Sequence, residues 1–318
     1  MSLPASLSSR LSLPLITAPM FLVSGPELVI AACRNGVIGS FPTANCRTVE
    51  DLDQWLGRIR AETDAAAAGG GKVAPFCPNL IVHKSNPRVE QDLELVIKHK
   101  AEIVIASVGS PERVIQPLHE AGCLVLADIA SLRHAEKAIA AGADGLILLT
   151  AGAGGQTGWA NPFAFARAVR AMFDGIIVMA GGISDGVALH AAQALGCDLS
   201  YMGTKFIATR ESMAVDRYKQ MLVDCRMDDI LLTKAFTGLE TSKLRPSIVA
   251  AGLDPDNLPA RGALDISKDI NAAEREKPTA KRWKDIWSAG HSVSGVADIP
   301  SVAELIARTA QEYQAARK

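Results

Sequence analysis

Three stretches of the chain lose their side chains where an apolar run ends. Residues 148–160 read LLTAGAGGQTGWA, residues 179–186 read MAGGISDG and residues 202–206 read MGTKF. Glycine permits positive φ and lets another group come close to the backbone. In the first stretch a run of small residues leads to Gln156, an amide that donates and accepts hydrogen bonds but cannot act as a general base. In the other two, Gly181-Gly182 and Gly203-Thr204 present bare amides. With a helix start following SDG, such a pair suits a phosphate dianion.

These residues need a scaffold that brings strand ends together. Eight short apolar runs recur: LITAPM (15–20), GVIGSFP (36–42), APFCPNL (74–80), IVIASV (103–108), LVLADI (124–129), GLILLT (145–150), IIVMAGG (176–182) and LSYMGTK (199–205). Helical patterns separate most of them, several closed by a glycine at the C-cap, as at Gly122, Gly142 and Gly196. Continuous rather than alternating apolar strands mean burial on both faces. The pattern predicts an α/β fold, a (β/α)8 TIM barrel, in preference to an open doubly wound sheet. In such a barrel the site lies at the C-terminal strand ends, and the loops after strands seven and eight commonly hold phosphate.

After residue 225 the spacing changes. Residues 226–282 turn polar, with Pro246, Pro255, Pro259 and Pro278, before the helical pattern returns at 302–318. The reading is a barrel built from 1–225 plus 283–318, with 226–282 a small insertion after strand eight that acts as a lid.

Composition narrows the function. The chain has 318 residues, a net charge of −1 and 48% hydrophobic residues with only 5% aromatic. No basic block marks a nucleic-acid or membrane partner, and no apolar run reaches the ~18 residues of a membrane helix. Six scattered cysteines, without CxxC or metal spacing, read as reduced thiols of a cytoplasmic protein. AAAAGGGKV (65–73) fails as a P-loop at Ala66 and Val73. GAGGQTG lacks the GxGxxG spacing and follows the wrong strand for a Rossmann site.

LITAPM, NL after strand three, AGGISDG followed by YMGTKFIATRES, FTGLETSKLRPSIVAAGLDP, and IWSAG before the last helix together resemble the nitronate monooxygenase (2-nitropropane dioxygenase) family. Their order and spacing carry the likeness over nearly the whole chain. The resemblance implies a barrel holding non-covalent FMN, with the ring across the barrel mouth. Carried onto this sequence, Met20 lies against the flavin, Asn79 hydrogen-bonds it, and Gly154 and Gly155 pass beside it. Gly181, Gly182, Gly203 and Thr204 then hold the phosphate.

Two positions depart from the family. Its loop after strand six reads roughly AGGH, with the histidine as catalytic base; here Gln156 stands in that place. At the end of strand five a basic or amide residue is expected near the flavin N1–C2=O edge, and this chain has Asp128. A carboxylate there disfavours an anionic reduced flavin unless protonated or paired; the alternative is a structural cap for ADIASLRHA. His291 and His83 are the candidate replacement bases, while His99, His119, His134 and His190 fall in helical patterns. Trp159 and Trp287 are either pocket walls or packing residues.

The resemblance implies an FMN-dependent oxidoreductase that oxidises alkyl nitronates with O2. The alternatives are an NAD(P)H:quinone or enoyl-thioester flavin reductase, a catalytically silent FMN-binding protein, and a flavin-free barrel lyase or isomerase. The partners are a small-molecule substrate and O2; nothing specifies a subunit interface, and a homodimer is left open.

Overall fold

A computed structural model describes residues 3–258 and 285–318. Residues 259–282 of the expected insertion lie outside them. Eight strands form one parallel sheet: β1 (Leu15–Thr17), β2 (Gly39–Pro42), β3 (Phe76–Ile81), β4 (Ile103–Ser107), β5 (Leu124–Ile129), β6 (Gly145–Leu149), β8 (Ile176–Ala180) and β9 (Leu199–Met202). Their order is β1-β9-β8-β6-β5-β4-β3-β2. A parallel bridge from Ile16 to Ile38 then joins the two ends. Ile38 N–H donates to Leu15 C=O and Thr17 N–H to Ile38 C=O, at 3.1 and 2.9 Å. The sheet is therefore a TIM barrel, and each of the eight apolar runs supplies one strand.

Inward positions alternate along the strands and fill the lumen with Ile16, Ile38, Cys77, Ile105, Leu126, Ile147, Val178, Leu199 and Tyr201. Leu7, from a short N-terminal helix α1 (Ala5–Ser8), joins this cluster. The lead-in to the first strand thus closes the floor of the barrel. Outward positions pack under the surrounding helices in a second, larger cluster that includes Leu28, Leu56, Val169 and Leu305. Gly122, Gly142 and Gly196 all take positive φ, at 79°, 95° and 97°, as expected after helix ends.

Two departures matter. ATRESMAVDRYKQMLVDC (208–225) has a helical pattern along its length, but only α10 (Asp216–Asp224) is a helix there. The insertion is ordered from its start, with β10 (Ile230–Thr233) and β11 (Thr241–Leu244) paired antiparallel. β11 also pairs with β7 (Gly155–Gln156), setting Thr241 opposite Gln156 and Ser242 opposite Gly155. The polar composition hid these strands, because they pair on the rim rather than in the core.

The last helix, α12 (Val302–Ala316), packs on α8 (Gly186–Ala194) and completes the outer ring. The approach is backbone to backbone. A Cβ on Gly186 would lie 2.0 Å from Tyr313 N and 2.4 Å from Thr309 O. Gly186→Ala must therefore separate the two helices. We expect it to cost roughly 2–3 kcal/mol in urea unfolding, as overpacking does; a loss below about 0.5 kcal/mol would show that the helices are not so close.

Candidate active site

One cavity of about 360 Å³ opens at the C-terminal ends of the strands. Met20, Asn79, Asp128, Gly154, Gly155, Gln156, Gly181, Gly182, Gly203 and Thr204 all line it. His83 and His291 do not. His83 Nδ1 is engaged by the Ser85 hydroxyl at 2.8 Å and accepts the Ser85 N–H at 3.2 Å. His291 folds back on the β6 loop: its N–H donates to Gly152 C=O at 2.9 Å, and a Cβ on Gly152 would lie 2.7 Å from its Nδ1. Neither histidine lines the cavity: the His83 ring is engaged by Ser85, and the His291 ring lies over Gly152 outside it.

The small residues after β6 separate into two kinds. Gly152 and Gly154 are small because residues 289–291 pack there: a Cβ on Gly152 would meet the His291 ring, and one on Gly154 would meet Gly290 N at 2.8 Å. Gly155 (φ +65°) faces open space. The same contrast holds after β8. Gly181 (φ +128°) turns against Thr150, whose Oγ1 a Cβ would meet at 2.4 Å, while Gly182 (φ +75°) opens into the cavity with nothing within 4 Å. The N–H groups of Gly182 and Gly203 bond to no other described residue. Thr204 Oγ1 accepts the Gly290 N–H at 3.0 Å, which leaves its own proton for the cavity.

The expected dipole of the helix after SDG is already used. Asp185 accepts the Ala188 N–H at 2.8 Å, and Glu312 accepts the Gly186 N–H at 2.9 Å. Two carboxylates at that helix start repel an anion. An anion at this corner has the open loop amides instead.

The cavity floor is polar and strained. The Ser107 hydroxyl donates to Asn79 Oδ1 at 2.8 Å, so the Asn79 N–H groups remain as donors. Asp128 continues the inward face of β5 above Leu126. It does not cap the next helix, α6 (Leu132–Ala141), where Ser131 accepts the His134 N–H instead. Asp128 Oδ1 and the Tyr201 hydroxyl are buried with no hydrogen-bond partner among the described residues. Burial pushes the Asp128 carboxyl up to about 7. Burial first, then the Asp128 and Cys77 charges, raise Tyr201 well above the usual phenol range. Leu22 (φ 61°) and Val108 (φ 56°), both on the cavity wall, take a left-handed backbone. Strain of this kind collects where structure is held for function. Asn45 fixes the first of these loops, donating to Met20 and Ser24 carbonyls at 3.1 and 2.8 Å and accepting the Leu22 N–H at 2.8 Å.

The outer wall is apolar. Tyr218 and Trp287 stack at 4.9 Å between centroids, 10° from parallel, beside Met213, Val215 and Ile286. Trp287 is thus a wall residue, whereas Trp159 is 77% exposed and does not line the cavity. Sequence reasoning missed Tyr201, Ser107 and Tyr218. The signal for Tyr201 was a polar tip at an inward position of LSYM; Tyr218 reads as an ordinary helix face until the fold sets it opposite Trp287.

No helix among the described residues is long and apolar enough to cross a membrane, and no group of them could hold a metal ion. The sequence profile described as nitronate monooxygenase matches residues 6–312. A nitronate monooxygenase of Paraburkholderia phytofirmans is 27% identical over 353 residues, covering 95% of this chain and 92% of that protein. A Mycobacterium tuberculosis protein named (3aS,4S,5R,7aS)-5-hydroxy-7a-methyl-1-oxo-octahydro-1H-indene-4-carboxyl-CoA dehydrogenase is 27% identical over 242 residues, covering 74% of this chain. The match spans 64% of that relative's length. A solved nitroalkane oxidase from Streptomyces ansochromogenes shares the fold with a TM-score of 0.81 at 24% identity, covering 98% of this chain and 99% of its own. The profile runs over nearly the whole barrel and the cavity sits where such a barrel works, so the chain belongs to the nitronate monooxygenase family and is an oxidoreductase.

Proposed function

We propose that the cavity binds FMN and that the enzyme oxidises alkyl nitronates with O2. The observation that carries the flavin reading is the convergence of two kinds of donor on one cavity. Gly182, Gly203 and Thr204 offer open donors at one end, while the Asn79 amide and Asp128 occupy the floor. The first set fits a phosphate and the second the polar edge of a flat ring. A cradle that a Cβ on Gly182 would fill also fits a tightly held ligand. FMN bound there supplies the electron transfer between substrate and O2. The chain's own part is to hold phosphate on the β8 and β9 loops, to orient the ring from Asn79, and to position substrate from Gln156. The strands β10 and β11 brace the Gln156 loop, and substrate enters beside them.

Gln156 cannot take a proton from a neutral nitroalkane, and no described lining residue is a histidine. The enzyme therefore acts on nitronate already ionised. A second reading rests on the charge of the same wall. Among the described lining residues Asp128 is the sole acidic or basic side chain, so an anionic substrate meets no counter-charge. That favours a neutral substrate on the Tyr218–Trp287 shelf, such as a carbonyl thioester handled by a reductase or dehydrogenase.

Anaerobic mixing separates the readings. Bleaching of the bound-flavin absorbance by propionate 3-nitronate, at a rate at least about 100-fold that with neutral nitroethane at pH 7, agrees with the first. Bleaching by NADPH and not by nitronate agrees with the second. Gly182→Ala tests the phosphate placement. The substitution faces open space at positive φ and costs about 1 kcal/mol of stability. We expect it to weaken FMN binding about tenfold or more while leaving riboflavin, which lacks the phosphate, nearly unchanged. Equal losses for both ligands would place the phosphate elsewhere.

A further inference from the structure

We propose that Asp128 works as a neutral carboxylic acid, donating a hydrogen bond to the carbonyl edge of the ring held in the cavity, with the unpartnered Tyr201 hydroxyl facing the same space. This inference rests on the flavin reading above and goes beyond it, because it assigns a donor where an anion would be read from sequence.

The geometry supports it in three ways. Asp128 stands on the inward face of β5, in a lumen built of Ile, Leu, Val, Ala and Cys side chains together with Tyr201. Its Oδ1 is buried without a partner, and no Lys, Arg or His lines the cavity among the described residues. An isolated carboxylate in such surroundings is far costlier than the neutral acid. Tyr201, from β9, is only 8% exposed, lines the same cavity, and has an equally unpartnered hydroxyl. Two buried polar tips aimed at one space point to a ligand with acceptor atoms between them.

The groups packed around Asp128 give it no reason to ionise. Cys77 on β3 and Tyr201 on β9 are both held neutral by burial, and each is pushed further up by the Asp128 charge itself. Ser107 from β4, Leu149 from β6 and Ala180 from β8, which line the same cavity, carry no charge. Burial alone raises the Asp128 carboxyl to about 7. A donor bond made only by the neutral form raises it again in the complex. Ligand affinity then falls as pH rises above about 7, because the carboxyl must take up a proton to bind. The neutral acid also removes the expected conflict with electron uptake, since no negative charge lies beside the ring.

The test is FMN binding, measured by fluorescence across pH 6 to about 9, for the wild type and for Asp128→Asn. Asparagine is neutral and keeps an N–H donor at every pH. We expect the ratio of wild-type to variant dissociation constants to be flat below about pH 7 and to climb up to tenfold per unit above it. FMN's own titrations cancel in that ratio. The apoprotein at pH 6 should also show an infrared carboxylic-acid carbonyl band that is lost in Asp128→Asn. FMN binding with a ratio independent of pH, or the absence of an Asp128 acid band at pH 6, overturns the donor role while leaving the flavin site standing. Failure of both proteins to bind FMN at any pH overturns the flavin reading and this one with it.

Discussion

The passage of Ala289–Gly290 between the β6 and β9 loops is the contact on which the site depends. Gly290 N–H reaches Thr204 Oγ1, Gly154 packs against Gly290 without room for a Cβ, and the next residue's N–H is taken by Gly152 C=O. Leu244 N–H donates to Trp287 C=O at 2.9 Å, tying the start of this segment to the insertion. Chain that follows the insertion thus roofs the cavity and holds its two glycine loops in register. The spareness of GAGG follows: part of it makes room for backbone, and only Gly155 is left facing open space.

The cavity this builds is electrically sparse. It offers N–H donors from loops, an amide on the floor and one carboxyl, inside walls of apolar and aromatic side chains. In such surroundings a donor acts strongly because water does not compete. The site is therefore suited to holding a polar, delocalised group by directed hydrogen bonds. The stacked Tyr218 and Trp287 form a flat apolar face of the cavity, where recognition depends on shape and area rather than on charge.

The barrel was legible because buried parallel strands must be continuously apolar and must stop at turn residues; LVLADI became β5 over the very residues read, Leu124–Ile129. Candidate flavin contacts were legible through the resemblance, and the fold brings them to one cavity. Three things were not legible. The pairing of β7 with β11 joins residues 155–156 to 241–242 through a polar segment with no periodic signal. That His83 and His291 lie outside the cavity depends on a local turn that engages the His83 ring and on the β6 loop that takes the His291 backbone N–H. The state of Asp128 depends on what surrounds it in three dimensions, for the letters ADIAS fit a cap as well as a floor.

The most direct test is a crystal structure of the chain grown with saturating FMN. The account predicts the phosphate on the amides of Gly182 and Gly203 with Thr204, and the ring's carbonyl edge within hydrogen-bond reach of Asn79 and Asp128. FMN bound outside the strand-end cavity, or with its phosphate at the floor and its ring toward the β8 loop, would contradict it.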